Sequence, residues 1–424
     1  MIARAHLRKG WCPGALRPME SGDGLLLRVR PRLGTLPLSA LTTIAQAAVE
    51  FGSGEIDLTN RGNLQLRGLH AGSYPQALAA LDAAGLIDVD AGIEAVRNIV
   101  VDPLSGIDPA RADVRPLAGQ LEDVLARNRT FRSLPGKFGF SFSGSAERQV
   151  GGRSADIMVS VHAPETFTVS LDGTTEIGTL VSTSRVVEAM TRLAAVFLEL
   201  RVSDPAIARM RDAVVRRGSV TIFAAAGFES RDIVDAEYDN SPPPVGPLIH
   251  AGRAFAFGVG LPFGRIEASQ LEAIAGVASE TARASVRTSP QRVLVFPVER
   301  EADADSIARE AKRQGLITEP ADLRLLFDVC PGAPACPNAT TDTRHDARRI
   351  AEAVQGRPLP SSLHISGCEK GCARRGIAAL TLVARSGHYD LIANGGPDGP
   401  VSLSSIRPAE IDAAVARFIV EQAS

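Results

Sequence analysis

Aromatic residues and lysines are scarce in this chain. Phe, Trp and Tyr together make up 4% of its 424 residues, and only four lysines occur. So few aromatic side chains argue against a surface on which single-stranded nucleic acid stacks. The formal net charge of −2 gives no general attraction to nucleic acid or to an anionic membrane. We therefore expect neither partner.

Long apolar runs are missing as well. A transmembrane helix needs about 18 apolar residues in a row, and the best candidate, residues 189–200, is interrupted by Arg192. The N-terminus has basic residues but no apolar region behind them, unlike a secretory signal. No G-x-G-x-x-G sequence follows a predicted strand. These absences predict a cytoplasmic protein without a dinucleotide site.

Two stretches of the chain resemble each other. The spacing from Gly34 to Leu41 recurs from Gly264 to Leu271. Each stretch predicts a strand, a helix with a serine N-cap, a further strand and an Arg-x-x-x-Gln sequence. The elements are strands at 24–30, 55–67, 254–260 and 284–297, helices at 39–51 and 269–280 starting at Ser39 and Ser269, and Arg61–Gln65 and Arg287–Gln291. The pattern predicts one duplicated unit.

Strands alternate with helices in the remaining sequence, which predicts an α+β or α/β architecture with mixed sheets. Val220–Phe223 reads as one of the strands, and the proline-rich residues 240–247 as a linker. The predicted division is a first unit at 20–90, an α/β region at 92–235, a second unit at 248–300 and an α/β region at 322–420.

Four of the five cysteines form two pairs, Cys330-x5-Cys336 and Cys368-x3-Cys372. Thiolates are soft ligands that suit iron–sulfur clusters, zinc or copper(I). Zinc sites usually separate paired cysteines by about two to four residues, so the five-residue spacer argues against zinc. Four unrelated core cysteines would not gather in one tenth of the chain. The fifth, Cys12, is expected to be a packed core thiol.

The cysteine pattern, continued by Ser366-Gly-Cys368-Glu-Lys-Gly-Cys372-Ala-Arg374, resembles the cluster signature of the sulfite and nitrite reductase family. The resemblance extends from about Cys12 to the C-terminus. It implies that the four thiols hold a [4Fe–4S] cluster. It also implies two ferredoxin-like half-domains, each followed by an α/β domain.

Basic segments also resemble that family. Thr59–Arg67 resembles its Thr-x-Arg-x-x-x-Gln substrate strand, Arg97-Asn98 its second arginine site, and the segment around Lys137 its Leu-Pro-x-Lys-Phe-Lys loop. Arginine pairs bidentately with carboxylates and stays charged when desolvated. The resemblance implies catalytic roles for Lys137, Arg61 and Arg97 and substrate binding by Arg61, Gln65, Arg67, Arg97 and Asn98.

Two departures from the reductases concern Gly139, where they have a second lysine, and Asp57, where they usually have arginine. Both weaken a pocket for sulfite or nitrite and favour a tetrapyrrole as the substrate.

Segments 11–30 and 247–264 resemble the branch of the family that acts in aerobic cobalamin synthesis. That branch implies dioxygen-dependent hydroxylation of precorrin-3A at C20 with γ-lactone formation, and electrons from a separate reductase or ferredoxin. The branch is also reported to contain a mononuclear non-haem iron. His250 is a candidate ligand or an ordinary hydrogen-bonded histidine, and the histidines form no recognisable ligand set.

Two alternatives remain open at this point. One is a sulfite or nitrite reductase that binds sirohaem through Cys372. The other is a non-enzymatic iron–sulfur or zinc protein such as an electron carrier.

Overall fold

The computed structural model describes residues 13–146, 155–174, 176–233, 242–357, 359, 361–374 and 376–423. Cys12 and the first two residues of the predicted linker, Asn240 and Ser241, lie outside the described residues. Within these ranges, no helix has both the length and the apolar character needed to cross a membrane.

The elements follow one another along the chain in four groups. The first group is β1 (Met19–Ser21), β2 (Gly24–Val29), β3 (Thr35–Pro37), α1 (Leu38–Phe51), β4 (Glu55–Leu58), β5 (Leu64–Leu69) and α2 (Tyr74–Ala83). The second is α3 (Ala91–Val96), β6 (Ile99–Val101), α4 (Arg115–Arg127), β7 (Phe140–Ser143), β8 (Ile157–Ala163), β9 (Thr166–Leu171), β10 (Ile177–Ser182), α5 (Val186–Ser203), α6 (Met210–Arg217), α7 (Ser219–Ala225) and β11 (Arg231–Asp232).

The third group is β12 (Gly246–His250), β13 (Arg253–Gly260), β14 (Arg265–Glu267), α8 (Ala268–Thr281), β15 (Ser285–Thr288), β16 (Val293–Pro297) and α9 (Glu301–Arg313). The fourth is β17 (Phe327–Val329), α10 (Thr343–Ala353), β18 (Leu363–Ser366), β19 (Ala378–Arg385), β20 (His388–Gly395), β21 (Leu403–Ile406) and α11 (Ile411–Ala423).

From β3 to β4, the first group recurs in the third at an interval of 230 residues, seen in the starts of β3 and β14 (35 and 265), α1 and α8 (38 and 268), and β4 and β15 (55 and 285). The hairpin partners Asp57–Gln65 and Arg287–Val295 keep the same interval. The turn before β3 matches the turn before β14, because Leu33 and Phe263 both have positive φ, at 51° and 55°. The predicted duplication is confirmed.

The constant interval corrects the alignment of the two repeats. It places Arg287 at the position of Asp57, and Gln291 at the position of Arg61. The predicted equivalence of the two Arg-x-x-x-Gln sequences is therefore wrong. Each strand predicted there is a hairpin, β4–β5 or β15–β16, and Arg61 lies in the turn of the first.

Three local predictions are also wrong. Helices α1 and α8 begin one residue before Ser39 and Ser269, because β3 and β14 run directly into them, and the cap positions are Pro37 and Glu267. Val220–Phe223 lies in helix α7, where Ile222 and Phe223 are buried in the core of the second group. Tertiary packing overrides the β preference of its branched residues.

The two repeats exchange a strand. Sheet A has the order β1-β2-β5-β4-β14 and sheet B the order β12-β13-β16-β15-β3. Strand β14 pairs antiparallel with β4, and β3 pairs antiparallel with β15. Helices α1 and α8 bury Leu41 and Leu271 in one core shared by both repeats. The repeats therefore form a single packed unit.

The second and fourth groups share a sheet plan. Sheet C begins with the parallel strands β6, β7 and β8, and sheet D with the parallel strands β17, β18 and β19; antiparallel strands follow in both. Neighbouring parallel strands end at the same edge of a sheet. The loops after β17 and β18, which carry the four clustered cysteines, therefore meet at one edge of sheet D.

Candidate active site

One surface of sheet A is polar, although most of the side chains on it are buried inside the protein. Strand alternation sends Leu27, Val29 and Ile56 into the shared core. The opposite surface, here called the polar face, consists of Arg28, Arg30, Asp57, Gln65, Arg67 and Arg265. The matching surface of sheet B carries mainly small and apolar residues, such as Ala256 and Val295, in a separate apolar cluster. The two repeats have thus diverged, and sheet A provides the face that suits an anionic ligand.

Four residues selected by the family resemblance lie together beside the polar face. The Arg61 side chain is half-buried, and its Nη2 donates to the carbonyl oxygen of Lys137 at 2.7 Å. The Asn98 Nδ2 donates to the carbonyl of Gly136 at 3.1 Å. Arg97 is the neighbour of Asn98, and Lys137 is exposed. These contacts hold three segments together: the turn after β4, the end of α3, and residues 134–139, here called the lysine loop.

Arg30 links this group to sheet A. Its Nη1 donates to the Asn98 Oδ1 at 2.6 Å, and its carbonyl accepts from the Arg97 Nη2 at 2.9 Å. Arg97 also forms an ion pair with Asp88 at 2.7 Å. A small polar pocket is lined by Arg30, Arg61 and Arg97. Sequence reasoning gave Arg30 no role, although its alternation with Arg28 on one strand could have placed both on one face.

Gln65 and Arg67 lie on the polar face, but both make contacts within the chain. The Gln65 Oε1 accepts from the Arg28 guanidinium. Arg67 is 1% exposed and bonds Asp23 at 2.7 Å and Asp57 at 3.1 Å. Both residues remain predicted substrate ligands, and Arg67 is directed toward the cysteines, as described below.

The four clustered cysteines lie on two adjoining loops. Cys330 follows β17 and is buried, Cys336 and Cys368 are half-buried, and Cys372 is exposed. The backbone N–H of Gly367 donates to the Cys330 Sγ at 3.2 Å. This is the backbone-to-sulfur contact that supports cluster thiolates in iron–sulfur proteins.

The electrostatics show that the four thiols interact. Although Cys372 is exposed as a residue, the protein atoms around its thiol displace water from it and raise its pKa to about 11. The neighbouring Cys330, Cys368 and Cys336 raise the pKa further, against Lys370. Burial also raises the pKa of Cys368, with contributions from Cys330 and Cys336. Thiols that disfavour one another's ionisation are stabilised as thiolates by a shared cationic group.

The four clustered thiols are soft ligands, a chemistry that suits an iron–sulfur cluster. Among the described residues, no three His, Cys, Asp or Glu side chains converge as they would around one metal ion.

His250 does not join these groups. It lies on β12, and its Nδ1 is 3.9 Å from the Asp108 Oδ1. Asp57 also differs from the expectation drawn from its sequence position. Its carboxylate is enclosed by Arg67, Arg265 and Arg344, so it does not weaken the pocket around Arg61.

Residues 17–84 and 249–314 each match the family model described as the nitrite/sulfite reductase ferredoxin-like half domain. A precorrin-3B synthase from Sinorhizobium is 33% identical to this chain, over 93% of this chain and 85% of that protein. The chain belongs to the nitrite and sulfite reductase family. A ferredoxin–nitrite reductase from Synechococcus elongatus is 26% identical, covering 90% of this chain and 80% of that protein.

The solved structure of the NirA protein of Mycobacterium tuberculosis superposes with a TM-score of 0.73 at 19% identity, over 93% of this chain and 80% of that one. This likeness concerns the fold. Together with the repeated half-domain match, it confirms the predicted α+β architecture with two ferredoxin-like half-domains. The predicted domain bounds and site roles remain predictions.

Proposed function

We propose that this chain is a precorrin-3B synthase, a cytoplasmic monooxygenase of aerobic cobalamin synthesis. It would hydroxylate precorrin-3A at C20 with dioxygen and close a γ-lactone. The proposal is supported by the full-length similarity to a protein of that name. The family's reductases are less similar to this chain, at 26% and 25% identity for two of them.

The polar face suits such a substrate. Precorrin-3A carries many carboxylates, and a site for it needs fixed cations. Arg61 and Arg97 would orient carboxylates from the pocket that they line with Arg30. Their backbone contacts with the lysine loop and with Arg30 hold both guanidinium groups in place.

The observation that carries the choice between tetrapyrrole oxidation and anion reduction is at residue 139. Gly139 is buried, its N–H donates to the Asp156 Oδ2 at 2.9 Å, and its carbonyl accepts from the Asp156 N–H at 2.7 Å. A glycine brings no second cation to this loop, so Lys137 supplies its positive charge. The reductases place a lysine at both positions, and their small anionic substrates need that charge.

The four cysteines would hold a [4Fe–4S] cluster, which supplies single electrons when it is bound. Transferring one oxygen atom of dioxygen to the tetrapyrrole and reducing the other to water consumes two electrons and two protons. A separate ferredoxin or reductase would therefore provide the electrons. The Lys137 Nζ, exposed beside Arg61, would hold a proton for the reaction. No described residues are assigned to a non-haem iron.

The test begins with protein purified without air. Iron, acid-labile sulfide and sirohaem are measured, and the protein then receives precorrin-3A, dioxygen and reduced ferredoxin. We expect iron and sulfide without sirohaem, and a product heavier by one oxygen atom. Cys368→Ser should lose the cluster and the activity, whereas Cys12→Ser, at the cysteine outside the pairs, should keep both.

Two results would reject the proposal. Stoichiometric sirohaem with turnover of sulfite or nitrite would identify a reductase. Zinc without sulfide would identify a protein that does not use a cluster.

A further inference from the structure

Asp57 is the centre of a buried charge cluster. It is 4% exposed and contacts three arginines from different parts of the chain: Arg67 at 3.1 Å, Arg265 at 2.8 Å and Arg344 at 2.9 Å. Burial alone would raise the pKa of Asp57, but Arg344, Arg265 and Arg67 outweigh it and hold the pKa far below its ordinary value. Asp57 thus pairs with cations on β5, β14 and α10. Arg67 also pairs with Asp23 and Arg265 with Glu55, whereas Asp57 is the carboxylate that pairs with Arg344 among the described residues.

Arg67 connects Asp57 to the first cysteine loop, defined here as residues 330–336. Its Nη2 donates to the carbonyl of Ala335, the residue before Cys336, at 2.9 Å. The same carbonyl accepts from the N–H of Gly22 at 3.2 Å. A Cβ at Gly22 would lie 1.9 Å from the carbonyl oxygen of Pro334. The β1–β2 turn therefore packs directly on this loop.

Arg344 connects Asp57 to the other end of the first cysteine loop. It follows Thr343, whose Oγ1 donates to the Cys330 carbonyl at 2.7 Å and lies 3.8 Å from the Cys330 Sγ. In the described part of the chain, the Nε and Nη1 of Arg344 have no hydrogen-bond partner. Burial lowers the pKa of Arg344 to about 10, against the attraction of Asp57. A buried cation with so few partners depends strongly on its one carboxylate.

We propose that Asp57, Arg67 and Arg344 are positioning residues that fix Cys330 and Cys336 for cluster binding. Arg67 acts on the Cys336 side and Arg344 on the Cys330 side, and Asp57 forms an ion pair with both. The cluster itself belongs to the proposed function, whereas the anchoring of the loop is a property of the chain alone. Residues on sheet A therefore help to fix the first cysteine loop, which belongs to the fourth group.

The test compares Asp57→Asn, which keeps the shape and removes the charge, with Arg67→Lys, which keeps the charge and removes the fork. The matched control is Asp102→Asn, because Asp102 is buried and ion-paired with Arg111 at 2.8 Å. Among the described residues, its hydrogen bonds and ion pairs lie away from both cysteine loops. Cluster-free protein is alkylated with a maleimide, and mass spectrometry gives a rate for each cysteine. Iron and sulfide loss in air is measured on the loaded proteins.

In Asp57→Asn, alkylation of Cys330 and Cys336 should accelerate about ten-fold relative to Cys368, which corresponds to about 1.4 kcal/mol in the opening of the loop. Arg67→Lys should accelerate Cys336 alone, and the loaded variants should lose iron faster than the wild type. General destabilisation, as in the control, raises all rates together.

Equal acceleration of all thiols in Asp57→Asn, or rates within about two-fold of wild type, would overturn the proposal. If Asp57→Asn does not fold, Arg67→Lys decides the Cys336 side by the same criterion. Wild-type protein without iron and sulfide would reject the proposed cluster, while the alkylation rates would still decide the anchoring.

Discussion

Acid should destabilise this protein through one buried histidine. His364, on β18, is 0% exposed, and within the described ranges neither ring nitrogen has a hydrogen-bond partner. It packs beneath the loop after β18 that carries Cys368 and Cys372, because a Cβ on Gly371 would lie 3.4 Å from the His364 Cε1. Burial lowers the pKa of His364 from 6.5 to about 4, although Asp328 favours the charged form.

The size of the effect follows from linkage. Between about pH 6.5 and pH 4 the unfolded chain binds a proton at this histidine and the folded chain does not, so stability falls as the pH falls. A shift of one pKa unit corresponds to about 1.4 kcal/mol, so the full loss is about 3 kcal/mol, of which about 2 kcal/mol appears between pH 7 and pH 5.

The assay is urea unfolding of anaerobically purified protein at pH 7, 6 and 5. His364→Leu removes the titrating ring and two unpaired polar atoms at similar volume, so it should be about as stable as wild type at pH 7. It should lose about 2 kcal/mol less than wild type at pH 5. His388→Gln, an exposed histidine in the same sheet, is the control and should follow wild type. Equal acid losses in wild type and His364→Leu would refute the reasoning.

Three further predictions concern the site. Arg61→Gln should weaken binding of a carboxylated tetrapyrrole about ten-fold or more, because a charged hydrogen bond contributes about 1.5–3 kcal/mol; absorbance titration measures it, and the exposed Arg201→Gln should bind like wild type. Cluster reconstitution should accelerate from pH 7 to pH 9, because loss of hydration around the thiols raises the pKa of Cys368 and Cys372 and ligand thiols must lose protons. An unchanged rate of iron and sulfide uptake would contradict this. Asp57→Arg introduces the residue that the reductases usually have and would put a fourth arginine beside three others. It should lower the free energy of unfolding by more than about 4 kcal/mol. Soluble protein that unfolds in urea like wild type would contradict this.

The repeat and the cysteine loops were predictable because their signals are local. The spacing from Gly34 to Leu41 and its recurrence show the duplication directly, and paired cysteines between glycines and prolines predict ligand loops. The register of the repeat was harder to predict. Two Arg-x-x-x-Gln sequences looked equivalent, but the hairpin turns place Arg61 opposite Gln291 in the alignment.

The charge cluster around Asp57 was not predictable from one sequence. Arg67 lies 268 residues from Ala335, and Arg265 lies 208 residues from Asp57, so no local pattern joins them. The resemblance assigned Arg67 to the substrate strand, because a motif records a position and not its partners. The strand exchange was equally hidden, since β3 and β14 are three residues each and could pair within their own repeats.

That exchange has an evolutionary consequence. A single-copy ancestor that kept this pairing would have taken its edge strand from a second, identical chain and so formed a symmetric homodimer. Symmetry would have forced both sheets to carry the same surface. Gene fusion removed that constraint, after which one surface could accumulate arginines while the other became apolar. A polypeptide cut between Asp232 and Gly246 should accordingly recover its fold only when both fragments are present together.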